Sequence, residues 1–142
     1  MVNQRGEDKL KSKEQSVQTD YLDEEFTFGK VKSFIWITHS FEGFHRYPNA
    51  PEDVSYLREK HRHIFHLKVW IEVFHDDRDV EFHMFKNFIK SIITENDFDY
   101  KSCEMISDIL FDVINANYPK RDIKIEVSED GECGSFNEYR GV

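Results

Sequence analysis

The chain has 142 residues, with 19 Lys and Arg against 28 Asp and Glu, and a formal net charge of −9. That length suits one domain with a sizeable core and is short for two. The acidic balance argues against a phosphate-backbone binder, which needs clustered Lys and Arg, so no nucleic-acid partner is expected.

No apolar stretch approaches the roughly 18 residues of a membrane span, and no signal-peptide pattern opens the chain. A membrane partner is therefore not expected. Cys103 and Cys133 are the only cysteines, too few for a disulfide framework. A reducing, cytoplasmic setting is the default for such a chain.

Residues Met1 to Glu25 are almost wholly polar, with mixed charges and no apolar period. Such a segment buries too little surface to offset its ordering entropy, so a disordered arm is expected there and a single domain over 26–142. From Phe26 to Thr38 the residues Val31, Phe34, Ile35, Trp36 and Ile37 suit a first strand. Pro48, Asn49 and Pro51 make His45 to Lys60 a long connecting loop. His-Arg-His-Ile-Phe-His then opens an apolar run, Ile64 to Phe74, that reads as a second strand. Side chains alternate along a strand, which places His61, His63, Phe65, Leu67, Val69, Ile71 and Val73 on one face and His66 on the other.

A charged turn from His75 to Asp79 ends that strand. Phe82, Phe85, Phe88, Ile89, Ile92 and Ile93 recur at helical spacing and predict an amphipathic helix over about 82–94, with the Phe stripe as core. A second helix starts at Ser102 as N-cap and runs through Ile106, Ile109, Leu110, Val113 and Ile114, stopping before Pro119. Ile123, Ile125 and Val127 alternate as a third strand, and Phe136 to Gly141 forms a fourth after a turn at Gly131 to Gly134. The order is strand, strand, helix, helix, strand, strand, an α+β protein.

The histidines carry the chemistry. His61 and His63 share a strand face, and His45 precedes them on the connecting loop. Three imidazoles of this kind can make a zinc site that keeps its fourth position open for water or substrate. His-x-His alone is a weak signal in a chain with seven histidines; without partners at diagnostic spacing, His39, His75 and His83 read as surface residues. Cys103 reads as core. Cys133 could be a displaced nucleophile, but nothing nearby in sequence lowers its pKa, and it reads as an inert thiol.

Several stretches in order resemble the 6-pyruvoyl-tetrahydropterin synthase and 6-carboxytetrahydropterin synthase family. Phe-Glu-Gly-Phe-His-Arg-Tyr-Pro is similar to that family's Phe-x-x-x-His-Arg-Leu-Pro, and His61-Arg62-His63 to its His-Gly-His. Val80-Glu81-Phe82 resembles Met-Asp-Phe before the family's first helix. Val127-Ser128-Glu129 with Glu138-Tyr139-Arg140-Gly141 resembles its C-terminal Glu-Thr and Tyr-Arg-Gly. The resemblance covers about Phe26 to Gly141. It implies zinc held by His45, His61 and His63, with Glu129 gripping the N–H edge of a pterin ring, a role that suits a carboxylate. It also implies a T-fold: an antiparallel four-stranded sheet with two helices on one face, closed with other copies into a barrel. A homo-oligomer, a hexamer among the options, follows, with sites between subunits.

The departures fall on the catalytic parts. The family's cysteine lies four residues before the His-x-His pair, where this chain has Leu57. Its Asp-His pair between the helices is replaced by Glu95-Asn96-Asp97-Phe98-Asp99-Tyr100, without a histidine. Glu59 and Glu81 are left as candidate proton-transferring carboxylates. The expected function is a zinc-containing, pterin synthase-like protein that binds, and if active converts, a dihydropterin of the dihydroneopterin triphosphate type by lyase chemistry. The alternative is a non-catalytic T-fold module holding a pterin, purine or deazapurine. A third reading is a structural subunit with neither metal nor ligand.

Overall fold

A computed structural model describes residues 29–142 of the chain. The expected N-terminal arm and the first residues of the expected domain lie outside the described residues. Four strands form one antiparallel sheet in sequential order: β1 (Ser33–His45), β2 (His61–Val73), β3 (Ile123–Glu129) and β4 (Cys133–Tyr139). Two helices, α1 (Phe82–Glu95) and α2 (Cys103–Asn117), sit between β2 and β3 in the chain. The order is therefore ββααββ, as the periodicities indicate.

The two helices cover the same face of the sheet. Phe65, Leu67, Val69, Ile71 and Val73 of β2 are buried there with Ile123, Ile125 and Val127 of β3. Phe85, Ile89 and Ile92 of α1 and Ile106, Leu110 and Ile114 of α2 close the layer from above. The period of two on β2 and β3 and the period near 3.6 on the helices meet in one core, which is why both element types were legible. Helix ends follow their caps. Glu81 accepts the Met84 N–H at 2.7 Å, Ser102 accepts the Met105 N–H at 3.2 Å, and α2 ends ahead of Pro119.

The opposite face is open within one chain. It carries the exposed Trp36 and Phe136, with the Lys68 ammonium 4.2 Å from the centre of the Trp36 ring and 4.8 Å from that of Trp70. Among the described residues the outer edges of β1 and β4 have no partner strand.

The structure departs from the sequence expectation at the end of β1, in the loop after it and at the start of β4. β1 continues past Thr38 to His45, paired residue for residue with β2 down to His45↔His61. The third histidine thus ends a strand instead of lying in a loop. His39 to Phe44, with Ser40, Glu42 and Gly43, has little intrinsic strand signal; cross-strand pairing with a 13-residue neighbour supplies it. The loop that follows contains a 3-10 segment, Glu52–Arg58. The last turn is tighter than expected, Asp130 to Glu132, so β4 begins at Cys133. Asp130 and Gly131 both take positive φ, 56° and 70°, which Asp-Gly accepts readily.

Candidate metal centre

Two residue pairs of the β1–β2 ladder assemble the site. His45 stands opposite His61, and His63 stands opposite Gly43. Cross-strand partners share a face, so the three imidazoles cluster at one end of the β1–β2 ladder, on the side that carries the core. Their ring centres are 4.5, 4.8 and 5.0 Å apart. Phe65 is the next residue inward on that face; its ring meets those of His45 and His63 edge-on and forms the apolar floor. Gly43 leaves room for that ring: a Cβ there would lie 2.7 Å from Phe65 Cε2.

Each ring is held from behind through Nδ1. The His45 Nδ1–H donates to the Lys101 carbonyl at 2.8 Å and the His61 Nδ1–H to the Glu59 carbonyl at 2.9 Å. The His63 Nδ1–H donates to Asp130 Oδ2 at 2.7 Å. Carbonyls and carboxylates only accept, so the proton of each neutral ring sits on Nδ1 and the Nε2 lone pair is left over. One nitrogen from each ring lies within 4.8 Å of the others. This is the arrangement metal-binding histidines adopt, one nitrogen to the ion and the other to a hydrogen-bond acceptor.

The fit to a metal rests on an orphan. His63 Nε2 is buried and has no hydrogen-bond partner among the described residues. His45 is only 7% exposed. Buried nitrogen lone pairs facing one another are costly without a cation or proton between them. A three-imidazole set suits zinc and other borderline first-row divalent ions better than the oxygen-loving calcium or magnesium.

The surrounding groups come from every layer of the fold. The β3–β4 turn doubles back so that the Asp130 N–H donates to the Ile64 carbonyl at 2.7 Å, and Asp130 Oδ1 accepts the Ile64 N–H at 2.8 Å. Asp130 is thereby fixed against β2, and its bond from His63, then that from Ile64, hold its carboxyl below the usual carboxylate range. The α1–α2 connector reaches the site through the Lys101 carbonyl and is tied to the end of β1 by Arg46–Asp99 at 3.0 Å. Arg46 also stacks on Tyr100, 4.6 Å from the ring centre.

Glu129, the last residue of β3, faces the same cluster. Its Oε1 lies 3.3 Å from His45 Nε2 and its Oε2 lies 3.5 Å from His63 Nε2. Of the remaining candidates, Glu59 contributes its backbone carbonyl behind His61 while its side chain is exposed. Glu81 is not brought to the triad within this chain. Its carboxylate caps α1, whose first turn lies beside Phe34 to Thr38, a part of β1 remote from His45. Leu57 accepts the Tyr47 N–H through its carbonyl and offers no titratable group.

Cys103 is buried at the start of α2, and burial pushes its thiol up to about 12, which leaves it unreactive at neutral pH. Cys133 is exposed. His66 is exposed on the far face, as the alternation requires. His75 lies 3.5 Å from Asp79 and His39 lines β1 beside Lys86 and Lys90, both away from the triad.

Sequence reasoning missed Asp130, the Lys101 carbonyl and the Arg46–Asp99 pair. The Asp-Gly turn was a local signal for the first; the other two depend wholly on tertiary contacts. Among the described residues no helix is long and apolar enough to cross a membrane. Compared with protein-family models and with curated proteins, the chain matches none.

Proposed function

We propose that the protein is a zinc-containing T-fold protein of the 6-pyruvoyl-tetrahydropterin synthase and 6-carboxytetrahydropterin synthase type, binding a dihydropterin beside the triad. The observation that carries this reading is the convergence of His45, His61 and His63, each with Nδ1 anchored to an acceptor, which leaves Nε2 as the nitrogen available to an ion. It is supported by the ββααββ order and by helices confined to one sheet face. The open β1 and β4 edges suit a homo-oligomer, a hexamer in the family pattern, since unpaired strand edges favour pairing with further copies.

In this reading His45, His61 and His63 hold the ion, and Phe65 and the buried end of β1 keep water from its rear. Zinc bound there would polarise the oxygens of the pterin side chain as a Lewis acid. Glu129, at the rim of the same cluster, is the carboxylate placed to accept N–H bonds from the pterin edge. A proton acceptor is harder to supply. Glu59 is the nearest carboxylate in sequence, and Leu57 occupies the place of the family's thiol.

That last feature favours a second reading, a non-catalytic module holding a pterin, purine or deazapurine in the same pocket. Turnover of dihydroneopterin triphosphate by zinc-loaded protein, followed by mass spectrometry, separates the two. A product of new mass supports the lyase, and its mass names the bond broken. Unchanged substrate that is retained in equilibrium dialysis supports the binding module. Failure to retain any pterin, purine or deazapurine would overturn both.

A further inference from the structure

We infer that Glu129 is the fourth protein ligand of the resting metal centre, closing a site that three histidines alone would leave open. The inference rests on the metal reading above. Its basis is a mismatch between the contacts and ordinary hydrogen bonding. With Nδ1 carrying the proton in each ring, His45 Nε2 and His63 Nε2 present lone pairs to the Glu129 carboxylate, which also presents lone pairs. Acceptor facing acceptor is repulsive, and His63 Nε2 has no hydrogen-bond partner among the described residues. A metal ion, or a proton on Nε2, between them removes the conflict, and metal-binding measurements tell the two apart.

The distances fit such a cation. Ligands about 2.0–2.1 Å from a tetrahedral zinc stand about 3.3–3.4 Å apart along each edge. The separations of Glu129 Oε1 from His45 Nε2, 3.3 Å, and of Oε2 from His63 Nε2, 3.5 Å, are close to that edge but use different oxygens, so ligation through one of them needs only a turn of the carboxylate. One nitrogen from each imidazole lies within 4.8 Å of the others, so the three rings draw together where they stand wider than that edge.

The backbone makes Glu129 a reliable arm. It is the final residue of β3, paired with Phe65 on one side and Cys133 on the other. The following residue, Asp130, is bonded to Ile64 through both backbone and side chain. Consecutive residues thus serve one centre in different ways, Glu129 on the ion and Asp130 behind His63. An incoming oxygen donor would have to displace Glu129 from the ion, and the released carboxylate would then be free to meet the N–H edge of a bound ring.

The test is metal binding by the full chain and by Glu129→Gln and Glu129→Asp, with folding of each checked by circular dichroism. Zinc affinity is measured by chelator competition, and the ligand field by the visible spectrum of the cobalt(II)-loaded protein. Glu129→Gln is expected to weaken zinc binding at least about tenfold, the lower end of the loss seen even for groups behind a ligand. Its cobalt spectrum should change and respond to azide at lower concentration than the wild type. Glu129→Asp, which keeps the charge but withdraws the oxygens, should lose affinity as well; a purely electrostatic role would leave it near wild type and overturn the inference. Wild-type affinity and an unaltered cobalt spectrum in Glu129→Gln would likewise overturn it while leaving the histidine site standing. A wild-type chain that takes up neither metal would overturn the metal centre itself.

Discussion

One carboxylate, that of Asp130, fixes both a candidate ligand and the strand that carries it: Oδ2 accepts the His63 Nδ1–H at 2.7 Å and Oδ1 accepts the Ile64 N–H at 2.8 Å. Replacing it separates the two functions. Asp130→Asn keeps the positive φ that Asn tolerates but offers only one acceptor oxygen to two donors. Zinc affinity should fall by about 10- to 100-fold, as for other groups that orient a metal-binding imidazole. Chelator competition measures this, and affinity within twofold of wild type would show that His63 is held by other means.

His61→Ala and His63→Ala each remove one of three imidazole nitrogens from the cluster. Stoichiometric zinc should be lost in both, read as metal content of the purified protein by plasma mass spectrometry. Full zinc in either variant would show that the ion is held elsewhere.

Gly43→Ala tests the packing beneath the site. The added methyl would lie 2.7 and 2.8 Å from Phe65 ring carbons, closer than a real carbon contact, and Phe65 is fully buried. Overpacking of this kind costs about 1–3 kcal/mol. The denaturant midpoint should drop accordingly, and zinc affinity should drop with it because Phe65 supports His45 and His63. An unchanged midpoint would mean that the ring moves aside at little cost.

At the other end of the sheet Asp79 accepts from Arg121 at 2.8 Å and from the Phe74 N–H at 2.8 Å. The Arg121 hydrogen bond, and after it the Phe74 N–H, hold the Asp79 carboxyl below the ordinary value. A depressed folded-state pKa means that the unfolded chain takes up the proton first. The stabilisation is therefore complete above the ordinary Asp pKa of about 3.9 and is lost as the pH falls below it through the folded-state value. Asp79→Asn should destabilise by about 1–3 kcal/mol at pH 7. The gap from wild type should narrow in strongly acidic buffer, as urea unfolding at each pH would show. A gap that stays constant into acid would assign the loss to shape and not to charge.

Tyr139 anchors β4 to α2. Its hydroxyl donates to Asp108 Oδ1 at 2.7 Å and accepts from the fully buried Ser107 hydroxyl at 2.8 Å and the Asn137 amide at 3.0 Å. Its ring stacks on Phe111 with centres 4.3 Å apart. Tyr139→Phe keeps the stack and strips the bonds, leaving the Ser107 hydroxyl unpaired. A loss of about 1–3 kcal/mol is expected. Ser107→Ala in the same background should recover part of it, and no recovery would argue against the buried hydroxyl as the source.

The sequence by itself determined whatever depends on local periodicity. The shared face of His61 and His63 follows from a period of two, the helices from a period near 3.6, and their ends from Ser102 and Pro119. It also put a glycine-containing turn before β4, at Gly131 to Gly134, where the structure has the tighter Asp130 to Glu132. Only the tertiary structure decided that β1 runs as far as His45, because that end of the strand is held by pairing with β2 and not by its own residues. The same holds for the groups that turn three histidines into a cluster: the Lys101 carbonyl from the helix connector, Asp130 from the β3–β4 turn, and Glu129 at the end of β3. Each lies dozens of residues from the histidine it serves. Local propensity carries no information about such a meeting; sheet register and packing bring it about.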